Sequence, residues 1–321
     1  MTAATAEAKR GVEVVGLTLA ALCWVSLATA ADEPSPLKIG VLHDAPPFSS
    51  IGTGLGDDAT EAEAYEAEEA EGYTVELCVS FAERLATAQP GASAQGRAPY
   101  DPVLVKPIQR RFEMLDNGQI DILCGATTAT LALRAEYAVS IYTFVTVQSL
   151  LARLEPTDAE DGARVGYLPG TTTEQQLRST MQLIRAENLL PSAYDALGDI
   201  PISVDDHYDA MRKLRDEAID VYIADRAILS RLLARLPSPA RETIRLTAIP
   251  QRLEPYALVM RRDDPRRFAL DVFLRDLFVN QPRLADLLAR HFPGQQQLDR
   301  SFFELIRFQA RLTDGDRRTA R

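Results

Sequence analysis

Residues 120–140, IDILCGATTATLALRAEYAVS, carry the reading on which the fold turns. The stretch opens as a short apolar run, Ile120 to Leu123, of buried-strand type. It breaks at Gly125 into a turn rich in hydroxyls (Thr127, Thr128, Thr130), and helix formers follow. In open α/β sheets small ligands sit in the crevice outside the carboxyl ends of strands, where helix N-termini offer amides to anionic groups. The same residues also fit an ordinary strand-to-helix connection capped by Thr.

Outside this stretch the composition is that of a globular chain. Of 321 residues, 46% are hydrophobic and 25% charged, enough for two domains of ordinary size. Lys9 and Arg10 precede an apolar segment, Val14 to Leu27, then Ala28-Thr29-Ala30, so residues 1–30 are expected to be a cleaved secretory signal. The segment is shorter than the roughly 20 residues that span a bilayer, and a periplasmic protein is expected. Without the leader two of the three cysteines remain, Cys78 and Cys124. An even count in an exported protein points to one disulfide; two separate buried thiols is the other reading.

The formal charge of −11 is mostly local, because residues 57–71 (DDATEAEAYEAEEAE) hold acids and no base. Such a block reads as a solvated loop. There is no basic stripe for nucleic acid, and the three histidines lack metal-ligand spacing, so neither a metal nor a cofactor is expected.

Further along, Leu37 to Leu42 alternates like a strand, and His43 to Ser50 carries it into a Pro-Pro turn. Residues 72–86 read as a short β-rich start passing into a helix, and 89–102 as a loop. A helix at 110–118 leads into the opening strand. One unit then recurs: Leu115 with Ile120-Asp121-Ile122 is echoed by Leu214 with Ile219-Asp220-Val221, as expected of two α/β lobes of like construction or of chance similarity between amphipathic units. Between them, residues 140–154 suit a strand or a crossing between lobes, and 163–168 suit another strand. Thr171 and Glu174 have capping-box spacing for a helix over 175–187, whose first amides could instead receive an anion. Asp205 and Asp206 are placed to cap the helix that His207 begins. Strands are expected at 245–249 and 256–260, and amphipathic helices at 268–278, 284–292 and 302–312.

With these motifs in order, residues 37–292 resemble the family 3 periplasmic solute-binding proteins, the amino-acid receptors of ABC importers of the glutamate/aspartate- and histidine-receptor kind. The resemblance rests on Ala45-Pro46-Pro47-Phe48-Ser49, Gly72-Tyr73 with Val75-Glu76-Leu77-Cys78, and Arg111 with Leu115, Gly118 and Asp121. It continues through Cys124 to Leu131, Gly170-Thr171-Thr172, Ile223-Ala224-Asp225-Arg226 and Glu254-Pro255-Tyr256. It implies an α/β, two-lobed periplasmic-binding-protein (type II) fold with two hinge crossings, closing over its solute. The implied division is lobe 1 at 37–147 with a return at 253–293, lobe 2 at 148–252, and a C-terminal extension at 294–321. The implied partners are a small polar solute, amino acids among the candidates, and an ABC permease, with the receptor a monomer. Carried over by position, the ligand residues are Thr128, Thr130 and Thr172 for the negative end and Asp225 for an ammonium.

The sequence departs from that pattern at one place that matters. The family's carboxylate-binding Arg falls on Leu133, and the nearby guanidinium is Arg134, one position on and about 100° around a helix. An unpartnered buried carboxylate costs about 3–5 kcal/mol, so either Arg134, Arg110 or Arg111 reaches the site, or the solute lacks an α-carboxylate, or the protein has drifted toward another task. The position of an aromatic clamp falls on Ala45. A second class of function is an exported enzyme resembling the cyclohexadienyl dehydratases that use the same scaffold, with Asp225 or Glu254 as the acid.

Overall fold

The computed structural model describes residues 35–51, 69–88, 98–157 and 162–293, with 305, 308 and 309. The expected signal segment, most of the acidic block and nearly all of the C-terminal extension lie outside the described residues.

The first part of the chain contributes β1 (Leu37–Val41), a small ribbon of β2 (Asp44–Ala45) and β3 (Ser49–Ser50), α1 (Tyr73–Thr87), β4 (Tyr100–Leu104), α2 (Arg111–Asp116), β5 (Ile122–Cys124), α3 (Leu131–Glu136) and β6 (Ala138–Val139). The middle contributes β7 (Phe144–Arg153), β8 (Ala163–Tyr167), α4 (Thr172–Ala186), β9 (Asp199–Ser203), α5 (His207–Arg215), β10 (Val221–Asp225), α6 (Arg226–Arg235), α7 (Ser238–Glu242) and β11 (Ile244–Tyr256). Then follow β12 (Val259–Met260), α8 (Arg267–Val279) and α9 (Gln281–His291).

Two five-stranded sheets result, in the orders β4-β1-β5-β12-β6 and β11-β7-β10-β8-β9. The chain leaves the first sheet after β6 and returns to it at β12, so β7 and β11 are paired antiparallel where the two traverses meet. Every residue of β5 is buried, as a strand flanked on both sides and covered by α1 must be. The Cys78–Cys124 disulfide is formed and ties α1 to the end of β5.

The repeated unit performs the same task in both halves. Asp121 accepts from the Lys38 amide at 2.9 Å through its carboxylate while its own amide donates to the Lys38 carbonyl. Asp220 makes the same reciprocal pair with Arg164, at 2.8 Å through its carboxylate. An acid just before each central strand thereby fixes the neighbouring parallel strand, β1 in one sheet and β8 in the other.

Where the traverses begin and end, aromatic rings pack together. Phe48 meets Tyr73, Phe144, Tyr256 and Phe292 edge-on, with centroids 4.9–6.4 Å apart. The Tyr73 hydroxyl donates to the Thr143 carbonyl at 2.8 Å, satisfying the polar end of a ring that is otherwise fully buried. Three of the motifs noted in the sequence thus meet at one hinge.

Some local expectations are corrected. Helix α1 begins directly at Tyr73, without a β-rich start, because the Tyr73 and Thr74 amides donate to the Pro47 and Phe48 carbonyls and their side chains are buried. Part of the expected 89–102 loop is the edge strand β4, a position where Pro102 is tolerated. The two strands expected at 245–249 and 256–260 are the long β11, whose register shifts between Ala248 and Leu253, and the short β12. Thr171 and Glu174 form no capping box: the Thr171 hydroxyl donates to the Leu168 carbonyl, Glu174 accepts from Gly170, and α4 starts at Thr172. The Asp206 cap is present, its carboxylate accepting from the Asp209 amide.

Gly72 has φ 140°, and a Cβ there would lie 2.3 Å from the Phe48 carbonyl oxygen. Gly72→Ala is expected to destabilise the protein by about 1–3 kcal/mol in denaturant unfolding, since backbone rather than a flexible side chain is in the way. An unchanged midpoint would show that the 47–49 turn yields freely.

Candidate functional site

A cavity of about 320 Å³ opens at the carboxyl ends of β5 and β10. Its volume is that of a small-ligand site. Thr128, Thr130, Thr172 and Asp225 all line it, contributed by the turn after β5, the start of α4 and the end of β10. These four sequence-predicted residues are therefore brought to one hollow.

The hydroxyl turn is held there by the second traverse. Ala129 donates to the Pro255 carbonyl at 2.7 Å and Ala257 donates to the Thr127 carbonyl at 3.0 Å. This pairing carries Glu254 under the turn. The Thr128 hydroxyl donates to Glu254 at 2.6 Å, and Thr172 reaches both Glu254 oxygens at 3.2 Å. Glu254 is 3% exposed. Burial raises its carboxyl above the ordinary range, against the hydrogen bonds from Thr128 and Thr172. Asp225 bonds the Tyr256 hydroxyl. Its carboxyl is pushed up to about 8, first by burial and then by the neighbouring Glu254. Two carboxyls so placed resist being ionised together.

Thr130 caps α3, its hydroxyl oxygen accepting from the Leu133 amide at 3.1 Å. Leu133 lines the cavity. Arg134 does not: it donates to the Val139 and Ser140 carbonyls at 3.2 and 3.4 Å, lies over the Tyr142 ring, and lines a separate hollow beside Asp271. Of the five residues expected at the site, Arg134 is thus the one placed outside this cavity, because the turn of α3 sends consecutive side chains to different sides. Arg111 does line the cavity, stacked over Phe112, donating to the Ile108 carbonyl at 2.9 Å and across to the Gly170 carbonyl at 2.6 Å. Burial lowers its guanidinium to about 10. Ala45, at the position expected for an aromatic clamp, sits on the wall.

A second contact joins the two halves beside the cavity. His43 Nε2 lies 3.0 Å from Asp206, and Asp44 accepts from the His207 amide at 2.8 Å. Potential metal-ligand atoms of His43, Asp44 and Asp206 lie within 4.8 Å of one another, although each residue is already hydrogen-bonded within the fold. Histidine spacing alone did not reveal this cluster, because its acids come from both halves of the chain.

Solved structures that align with this chain share its architecture. An ancestral arginine-binding protein bound to arginine superposes with a TM-score of 0.59 at 15% identity, over 81% of this chain and 99% of that one. The GluR0 ligand-binding core from Nostoc punctiforme, in complex with L-glutamate, gives 0.56 at 15%, over 80% and 99%. The chain has the type II periplasmic-binding-protein fold. In sequence, this type II chain is similar to the glutamate/aspartate import solute-binding proteins of Salmonella typhimurium and Escherichia coli, each 28% identical over 162 and 163 residues. The match covers 49% of this chain, and the chain spans about half the length of those curated relatives. No family model matches it.

The residue that the sequence placed least well is Glu254, named there as part of the Glu254-Pro255-Tyr256 motif and as the candidate acid of an enzyme alternative. Its partners Thr128 and Thr172 lie 126 and 82 positions away, a separation at which no local pattern operates.

Proposed function

We propose that this protein is an extracytoplasmic solute-binding receptor of an ABC importer, capturing a small polar solute between its two halves and delivering it to a membrane permease. The observation that carries the reading is the convergence of Thr128, Thr172 and Asp225, from three separate elements, on one cavity. In this reading Asp225 receives the positive end of the solute, Thr128 and Thr172 fix the adjoining polar group, and Thr130 supports them from the cap of α3. The names of the curated relatives favour import over catalysis, and nothing in them favours a dehydratase. The receptor works as a monomer in the periplasm, with lobes at 37–147 and 253–293 and at 148–252. Amino acids remain among its candidate solutes.

A thermal-shift panel of amines, amino acids and small organic acids tests the proposal. A true solute at a hundredfold excess over its Kd stabilises the native state by about 2.7 kcal/mol and raises Tm by several degrees. Asp225→Ala is expected to abolish that rise for an ammonium-bearing solute. If no compound moves the wild-type melt, the receptor reading is wrong.

A further inference from the structure

Three features of the cavity bear on which solute it takes. A threonine hydroxyl has one proton to donate. Those of Thr128 and Thr172 point to the buried Glu254 carboxylate, so the oxygens turn acceptor lone pairs toward any guest. The two hydroxyl donors that would otherwise hold a ligand carboxylate are already committed to an internal one. The wall position that would bring a guanidinium to that carboxylate is Leu133, and Arg134 is turned away onto main-chain carbonyls. Lastly, among the described residues the charged side chains on the wall are Asp225, Glu136 and Arg111, with Glu254 directly behind the threonines, so three carboxyls stand against one guanidinium that is itself bonded to the Ile108 and Gly170 carbonyls.

Resting on the receptor reading above, we propose that the solute is a small organic cation without a free carboxylate, an alkylamine or alkylguanidine whose positive group is received between Asp225 and the two threonine oxygens backed by Glu254. An amino acid would bring a second carboxylate beside Glu254 with no cation free to meet it, and like charges so close in a buried site disfavour one another strongly. A cation in the same place offsets the charge of the neighbouring Asp225 and Glu254 carboxyls and gives the acceptors a donor.

Matched pairs that differ by one carboxylate isolate the effect: agmatine against arginine, and putrescine against ornithine, titrated calorimetrically into the wild-type protein at pH 8. The decarboxylated member of at least one pair is expected to bind at least tenfold more tightly than its amino acid. Glu254→Gln should weaken that binding at least tenfold, with circular dichroism checking that the variant folds; if it does not fold, the wild-type pairs decide. Leu133→Arg, which returns a cation to the wall, should move the preference toward the amino acid. Equal or tighter binding of arginine and ornithine would overturn the inference and leave the receptor reading standing. So would binding confined to some other class in the thermal-shift panel. Binding by nothing at all would overturn both.

Discussion

Agmatine affinity is expected to rise roughly fiftyfold between pH 6 and pH 8 and then to level off. The cause is Asp225, whose carboxyl is raised to about 8 by burial and by Glu254. If the bound state requires Asp225 ionised, apparent affinity follows the ionised fraction, about one part in a hundred at pH 6 and one half at pH 8. The ligand keeps its charge across this range. The groups facing Asp225 are Glu254 and Tyr256 on β11 and Tyr222 on its own strand; burial pushes both tyrosines well above the range of the experiment. Stability of the free protein should move in the opposite sense. A carboxyl that the fold holds protonated contributes stability fully present below the unfolded value near 4, and that contribution is lost as pH rises toward about 8. Thermal melts of the wild type should therefore decline over that window, and Asp225→Asn should flatten the decline. A binding profile without slope between pH 6 and 8 would remove Asp225 from the cation site.

Replacing the disulfide, as Cys78→Ser with Cys124→Ser, is expected to lower stability by about 4 kcal/mol. The bond closes a loop of 46 residues, and in the chain-entropy account that constraint on the unfolded chain is worth about that much. In a protein of this size the loss corresponds to a fall in Tm of roughly 10 °C. The effect should be large here because both residues are fully buried, with α1 packed on β1 and β5, so the native state gains little room by losing the link. Guanidinium unfolding of the oxidised wild type against the double variant measures it. Coincident transitions would mean that the core alone holds α1 in place.

Much of the architecture could be read from local pattern because its causes are local. The apolar runs of β5 and β10 are strands because both of their faces are covered, and their hydroxyl and acidic ends mark the cavity edge. The echo of Asp121 in Asp220 shows as a local repeat, although the partner strands of the two acids lie 83 and 56 positions away. Cysteine parity, read together with the apolar N-terminal segment, was enough to anticipate the Cys78–Cys124 bond.

The direction taken by individual side chains, and distance along the chain, hid the rest. Whether Arg134 or Leu133 faces the cavity depends on the rotation of α3, which is set by the Thr130 cap and by the carbonyls of Val139 and Ser140. The Thr171 hydroxyl turns from the helix start to the Leu168 carbonyl. Glu254 meets Thr128 because the second traverse pairs with a turn 126 positions earlier. Residue types and their periodicity determined the two sheets and the edge at which the cavity opens. Tertiary structure decided which groups meet at that edge, because Glu254 rides on the returning strand and reaches the Thr128 and Thr172 hydroxyls only where that strand pairs with the earlier turn.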